Sequence, residues 1–260
     1  MQATTQNRVF NLEISWPLLP DDFVLPDAPA EDTDHHPLAT ALSEALSSAP
    51  ELLQDALITT NLALCAGINN RTICKAPDWM YVRPVPAWPH SYPRRSYTPH
   101  TEGPVPLVVI EFLSACDNDE YSMQSQQRIG KWFFYERVIQ VPIYALFRAE
   151  TAELEVYALE SGLYRSQTPN PENRYWIPGL ELFLGVWQGT RFTRSGAWLR
   201  WWNAAGQLLL WPEEREELER QRAEQERQRA EQERQRADAA EQRAAKLAFR
   251  LRQLGVDPDS

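Results

Sequence analysis

Apolar residues fall into short runs along the chain, and the spacing within each run predicts an alternation of strands and helices. Runs rich in β-branched and aromatic residues favour strands, and they lie at 57–66, 76–82, 105–113, 141–148, 153–159, 162–167, 172–187 and 197–202. The run 105–113 is continuously apolar, as expected of a strand that is buried on both faces of a sheet. The pattern predicts an α/β fold around a central sheet.

Two segments have the spacing of helices. Leu38, Leu42 and Leu46 lie four residues apart, which predicts an amphipathic helix that is interrupted at Pro50. A second helix is expected at about 122–137, between two of the predicted strands.

The N-terminal residues 1–37 are rich in proline and acidic residues, which predicts a loosely ordered arm with a short edge strand at 10–16. His35 and His36 at its end are adjacent, which is poor geometry for sharing a metal, and they are expected to be solvated loop residues. The arm is followed by a domain over 38–212.

The C-terminal part is an internal repeat of period seven, which predicts one charged helix over 213–254. ERQRAEQ occurs at 219–225 and again at 226–232, and then becomes ERQRADA at 233–239. Each heptad has a single small apolar residue, whereas a stable coiled coil needs apolar residues at both a and d positions. The helix is therefore expected either to be solvated or to pair with a helix of another chain.

The net charge of −10 is concentrated at the N-terminus. Residues 1–60 hold ten acidic residues and one basic residue, residues 61–212 hold 13 and 14, and residues 213–254 hold 11 of each. Such a chain has no overall basic field, which argues against a non-specific nucleic-acid coat protein. An enzyme that acts on nucleic acid needs only a locally basic groove and remains compatible with this charge.

The cysteine and hydropathy patterns indicate a cytoplasmic protein. Cys65, Cys74 and Cys116 have no short paired spacing, so three reduced thiols are expected rather than a disulfide framework or a zinc site. The chain has no run of 18 apolar residues and no N-terminal signal pattern, so neither a membrane span nor secretion is expected.

Two carboxylates lie at the ends of predicted strands. Asp78 opens the strand APDWMYV, and Glu111 follows the apolar run Val-Val-Ile. A buried carboxylate costs several kcal/mol unless it is paired or bound to a metal. If the two strands are neighbours, both acids could hold one Mg²⁺ or Mn²⁺, together with the Phe112 carbonyl and water, and a metal-bound water could attack a phosphodiester.

A cation is needed beside such a site, and Lys131 lies on the helix that follows the Glu111 strand. Simpler roles stay open for all three residues: Asp78 as a turn residue, Glu111 as a structural ion-pair partner, and Lys131 as a solvated helix residue. Trp198, Trp201 and Trp202 could stack on bases, although packing in the core or in a dimer is the favoured interpretation.

Together, the stretches KAPDWMYVR, VPLVVIEFLS, GKWFFYERVIQVPIYALF and ELEVYALESGLY resemble the PD-(D/E)XK nuclease superfamily, and specifically its Uma-two family. The resemblance covers about residues 58–184. It implies a restriction-endonuclease-like fold, in which helices flank a mixed central sheet, with the long C-terminal helix added. It also implies a bacterial, Mg²⁺- or Mn²⁺-dependent endonuclease whose substrate is DNA.

The resemblance carries over to particular residues. Asp78 and Glu111 would be catalytic metal ligands, and Lys131 would be the catalytic lysine, moved to the helix because Leu113 takes its usual place on the strand. Accessory residues would be Ser114, Asp117 and a helix glutamate, for which Glu51 and Glu44 are candidates.

A second hypothesis is a catalytically inactive scaffold of the same fold, which would act through its C-terminal helix as an assembly or partner-binding module. The elaborate repeat, the acidic arm and the net charge favour it. The helix could pair with another chain, including a second copy in a homodimer.

Overall fold

A computed structural model describes residues 8–9, 12–18, 33–113 and 129–253. The chain divides into two compact units, Met1–Trp211 and Pro212–Ser260. The helices are α1 (His35–Ala45), α2 (Lys131–Phe133) and α3 (Pro212–Gln253). The strands are β1 (Arg8–Val9), β2 (Leu12–Ser15), β3 (Leu57–Thr59), β4 (Ala63–Ile68), β5 (Arg71–Lys75), β6 (Trp79–Val82), β7 (Ser96–Tyr97), β8 (Val108–Phe112), β9 (Ile143–Arg148), β10 (Glu153–Glu160), β11 (Leu163–Ser166), β12 (Arg174–Ile177), β13 (Leu182–Arg191) and β14 (Arg194–Trp202).

The central sheet of the first unit has six strands in the order β11-β10-β9-β8-β6-β3. The pair β8 and β9 is parallel, and every other neighbouring pair is antiparallel. The mixed central sheet that the family resemblance implies is therefore confirmed. A parallel pair needs a crossover connection between its strands, and α2 lies in this connection between β8 and β9.

Both faces of the central sheet are buried, and the two-residue period of the strands assigns each side chain to one face. Trp79, Tyr81 and Ile110 belong to one hydrophobic core, which includes α1 and the three-stranded sheet β12-β13-β14. Met80 and Val109 belong to a second core on the opposite face, which includes residues of the helical segment after α2.

A smaller sheet is formed by β1, β2, β4, β5 and β7. The single strand predicted over 57–66 is wrong, because this segment forms β3 in the central sheet and β4 in the smaller one. Asn61 lies between them with φ 52°, a left-handed conformation that asparagine adopts more readily than most residues. Its backbone N–H donates to the Pro77 carbonyl at 2.9 Å, and this hydrogen bond holds the chain where it leaves β3 and enters β4.

Two of the cysteines correct the expectation of three reduced thiols. Cys65 and Cys74 lie opposite each other on β4 and β5, with 4.2 Å between their Cα atoms, and form a disulfide. The turn between these strands contains Asn69 and Asn70, both with positive φ, as two-residue hairpin turns require. This turn brings the two cysteines into register, which their spacing of nine residues does not reveal. Cys116 lies outside the described residues.

The C-terminal tryptophans are core residues, so the base-stacking alternative is wrong. Trp198, Trp201 and Trp202 are buried. The Trp201 indole donates to the Leu42 carbonyl of α1 at 3.2 Å and lies 5.8 Å from the Trp79 ring. These contacts attach the three-stranded sheet to α1, and through Trp79 to the central sheet.

The second unit contains α3, which confirms the single charged helix predicted from the heptads. Its side chains pair along the helix, with Glu217–Arg220 and Glu224–Arg227 at 3.0 Å each. Within the described ranges, no helix has an apolar stretch long enough to cross a membrane.

Candidate active site

Asp78 and Glu111 come together where β6 begins and β8 ends. Trp79 is opposite Ile110 in the antiparallel pair, so the register places Asp78 beside Glu111. The Asp78 backbone N–H donates to Glu111 Oε2 at 3.3 Å, and the Phe112 backbone N–H donates to Asp78 Oδ2 at 2.6 Å. Each carboxylate is therefore held by the backbone of the other's strand.

Glu111 is fully buried, with 0% of its surface exposed. Lys131 Nζ lies 2.9 Å from Oε2, and the Tyr135 hydroxyl donates to Oε1 at 2.8 Å. The pKa of Glu111 is raised to about 7, mainly by burial; the charge of Lys131 lowers it, the negative charge of Asp78 raises it, and the hydrogen bonds from Lys131 and Tyr135 lower it. A carboxyl group with this pKa changes charge near neutral pH, which is a frequent property of functional sites.

Lys131 and Tyr135 reach Glu111 from one face of the same helical segment. They lie four residues apart, the spacing that places side chains on a common helical face. The segment begins as α2 at Lys131 and continues as a π-helical turn, Phe134–Ile139, and such turns are frequent at functional sites. The helix predicted at 122–137 is present from 131, and residues 122–128 lie outside the described ranges.

His35 is a residue of this site that the sequence did not indicate. It is only 8% exposed, so the prediction of a solvated loop residue is wrong. As the first residue of α1, it places Nδ1 3.7 Å from Asp78 Oδ1, and its ring packs edge-on against Phe112 at 5.7 Å between centroids. It therefore lies beside both the Asp78 carboxylate and the residue whose N–H holds that carboxylate.

The sequence profile of the Uma2 family, described as "Putative restriction endonuclease", matches residues 11–191. The chain belongs to the Uma2 family. The matched region contains Asp78, Glu111 and Lys131, and it ends before α3 begins. Membership confirms the resemblance inferred from the sequence, and the mixed sheet with few helices is the restriction-endonuclease-like fold that it implied. No curated protein matches the chain.

Of the accessory residues expected in this Uma2 chain, the two glutamates lie within the described residues and the other two do not. Glu44 lies on α1 and pairs with Arg191, and Glu51 is exposed on the 3₁₀ turn Pro50–Leu52. The structure does not bring either glutamate into the group formed by Asp78, Glu111 and Lys131. Ser114 and Asp117 lie outside the described residues.

The donor chemistry of the site fits a hard divalent cation. Two carboxylates of neighbouring strands supply the oxygen ligands that Mg²⁺ and Mn²⁺ prefer. Asp78 is 8% exposed and Glu111 is fully buried, so both carboxylates lie within the protein. Among residues 8–9, 12–18, 33–113 and 129–253, no group of three or more His, Cys, Asp or Glu side chains is placed to hold a metal ion.

Proposed function

We propose that this Uma2 protein is a Mg²⁺- or Mn²⁺-dependent endonuclease that hydrolyses phosphodiester bonds of DNA. The observation that carries the proposal is the environment of Glu111: a fully buried carboxyl group beside Asp78, with Lys131 and Tyr135 each bound to one of its oxygens. Two acids at adjacent strand ends, with an amine from the following helix, form an arrangement suited to metal-assisted phosphoryl chemistry.

Each residue has a separate role in this proposal. Asp78 and Glu111 would hold the cation, whose chemistry is to lower the pKa of a water molecule and to balance charge on the phosphate. Lys131 holds the Glu111 carboxylate and brings a positive charge that can contact the scissile phosphate. The Tyr135 hydroxyl fixes the other oxygen of Glu111 and so limits rotation of the carboxylate.

Metal binding tests this proposal directly. We expect calorimetry to detect Mn²⁺ binding to the unmodified protein and a loss of that binding in Glu111→Ala. Nicking of supercoiled plasmid that requires Mg²⁺ or Mn²⁺ and stops with EDTA would show the activity itself. An equal absence of Mn²⁺ binding in both proteins would contradict the proposal.

His35 is proposed to act as a positioning residue for Asp78, because its imidazole lies against the carboxylate and against Phe112. Loss of a residue that orients a metal ligand typically reduces metal affinity by about 10- to 100-fold. We expect His35→Ala to weaken Mn²⁺ binding by this factor in calorimetry, and His35→Gln to weaken it less. The neighbouring His36→Ala serves as the control, and equal affinity in all three variants would contradict the role.

A second candidate function, assembly through α3, is favoured by its 42 residues and by the end of the Uma2 match before it. In the sequence, the apolar residues Ala244, Leu247, Leu251 and Leu254 follow one another at intervals of three and four, and we call this row the seam. Leu247 is 61% exposed and Phe249 is 62% exposed, so this helix presents apolar side chains to solvent. Apolar residues at the three-and-four spacing of this seam fit pairing with a second copy of the chain.

Removal of α3 tests this assembly. We expect a chain ending at Trp211 to have the mass of a monomer in light scattering, whereas the full chain has twice its own 30.0 kDa. Leu247→Glu in the full chain should also give a monomer, because it places a charge in the seam, while Gln228→Glu should leave the dimer intact. The same oligomeric state with and without α3 would exclude assembly by this helix.

A further inference from the structure

Phe192 lies at the tip of the β13–β14 hairpin with 80% of its surface exposed, the largest exposed fraction of the large hydrophobic residues in the described ranges. Its φ of 51° is in the left-handed region, which glycine adopts without cost and a bulky residue adopts only with strain. The residue therefore contributes little to burial and adopts an unfavourable backbone conformation. An external contact would explain an aromatic side chain at this position.

The hairpin tip is fixed to α1 on both sides. Arg191 pairs with Glu44, and its guanidinium stacks over Trp211 at 4.5 Å. Arg194 pairs with Asp34 at 2.9 Å and stacks over Trp198 at 4.5 Å. Because both strand ends are held by ion-paired guanidinium groups, Phe192 is presented on a rigid support, which reduces the entropic cost of binding.

The same contacts connect the tip with the candidate active site. Asp34 directly precedes His35, and His35 lies 3.7 Å from Asp78. The hairpin tip is thus attached to the end of α1 that contacts the site. A polymer bound across Asp78 and Glu111 would extend well beyond the reacting bond, so its neighbouring units could reach this hairpin.

We propose that Phe192 stacks on a base of the nucleic acid that binds at the Asp78–Glu111 site, an inference that rests on the proposed function. The Arg191 guanidinium lies 5.0 Å from the Phe192 ring centroid, while most of the ring surface remains in solvent. Both arginines of the tip are already paired with acids, so the tip offers an aromatic ring rather than free charge. Exposed aromatic residues contact nucleic acids by stacking on bases or by inserting between base steps.

Binding of labelled DNA to the full chain in EDTA tests the inference without cleavage. Fluorescence anisotropy would be measured with single-stranded DNA and with a duplex that contains unpaired bases. Loss of one stacked base is expected to weaken binding by roughly 5- to 150-fold in Phe192→Ala. Phe192→Trp should restore the affinity, because its ring also stacks. The dependence of affinity on salt should be the same in all three proteins, since no phosphate contact is removed.

Tyr92→Ala is the matched control, because Tyr92 is an aromatic residue with 38% exposure in the loop at the other end of β6 from Asp78. It should bind DNA as the unmodified protein does. The melting temperature of Phe192→Ala should not fall, because little of the ring is buried. Equal affinity of Phe192→Ala and the unmodified protein would overturn the role of Phe192 and leave the proposed function standing. Absence of DNA binding by the unmodified protein, both in EDTA and at saturating Mn²⁺, would overturn both.

Discussion

Glu111→Gln is expected to reduce metal-dependent DNA cleavage by about 10³-fold or more, because a ligand to the cation and a negative charge are both lost. The substitution preserves the shape of the side chain. The amide oxygen can still accept from Lys131, and the amide NH₂ can donate to the Tyr135 hydroxyl, so the buried site keeps its hydrogen bonds. The measurement is the rate of plasmid nicking at saturating Mn²⁺ and Mg²⁺.

Three further variants separate the causes of that loss. Asp78→Asn should have a similar effect, since Asp78 is the second proposed ligand. Lys131→Met should reduce cleavage but allow Mn²⁺ to bind, because its role is to supply positive charge beside the site. Glu153→Gln makes the same chemical change on an exposed pair with Arg148 and should cleave normally. Full nicking activity in Glu111→Gln would refute the proposed role of this residue.

The stability of the first unit is expected to fall as the pH rises from about 4.5 to above 7. The pKa of Glu111 is raised from its ordinary value of 4.5 to about 7 by burial. Between these values the folded protein keeps a proton that the unfolded chain releases, so the stabilisation is complete below 4.5 and is lost as the pH passes 7. The difference in pKa corresponds to on the order of 3 kcal/mol in the free energy of unfolding.

Burial also raises the pKa of Glu102, which adds a pH dependence of stability of the same sign. Comparison of the unmodified protein with Glu111→Gln therefore isolates the contribution of Glu111. The measurement is urea unfolding followed by tryptophan fluorescence at pH 4.5, 6 and 8. All ten tryptophans precede residue 212, so the signal reports on the first unit and not on α3. An identical pH dependence in both proteins would mean that Glu111 does not change its protonation state over this range.

The core of the candidate site was predictable because its residues break a local pattern. Glu111 follows a run of apolar residues, and Asp78 precedes another, so each was noticeable without knowledge of the fold. Their proximity follows once β6 and β8 are neighbours. The place of Lys131 also followed from order along the chain, because the connection between two parallel strands returns a helix to the sheet.

His35 and the disulfide could not be predicted in the same way. His35 lies among acidic and proline residues that indicate an arm, and its burial depends on the packing of α1 against β6 and β8. Cys65 and Cys74 are partners only because the hairpin register sets them opposite each other. The partner of Glu44 could not be predicted for a related reason, since helical spacing places Glu44 on α1 but does not indicate Arg191 as its partner.

The sequence alone determined the strand runs, the charged helix α3, the two strand-end carboxylates and the family to which the chain belongs. These properties depend on the local period of apolar residues and on short motifs, which neighbouring residues encode directly. The tertiary structure decided which distant groups meet: His35 beside Asp78, Tyr135 on Glu111, and the arginine pairs that hold Phe192 at its hairpin tip. Such contacts depend on how layers pack and on strand register, and these are fixed by the whole core rather than by any single segment.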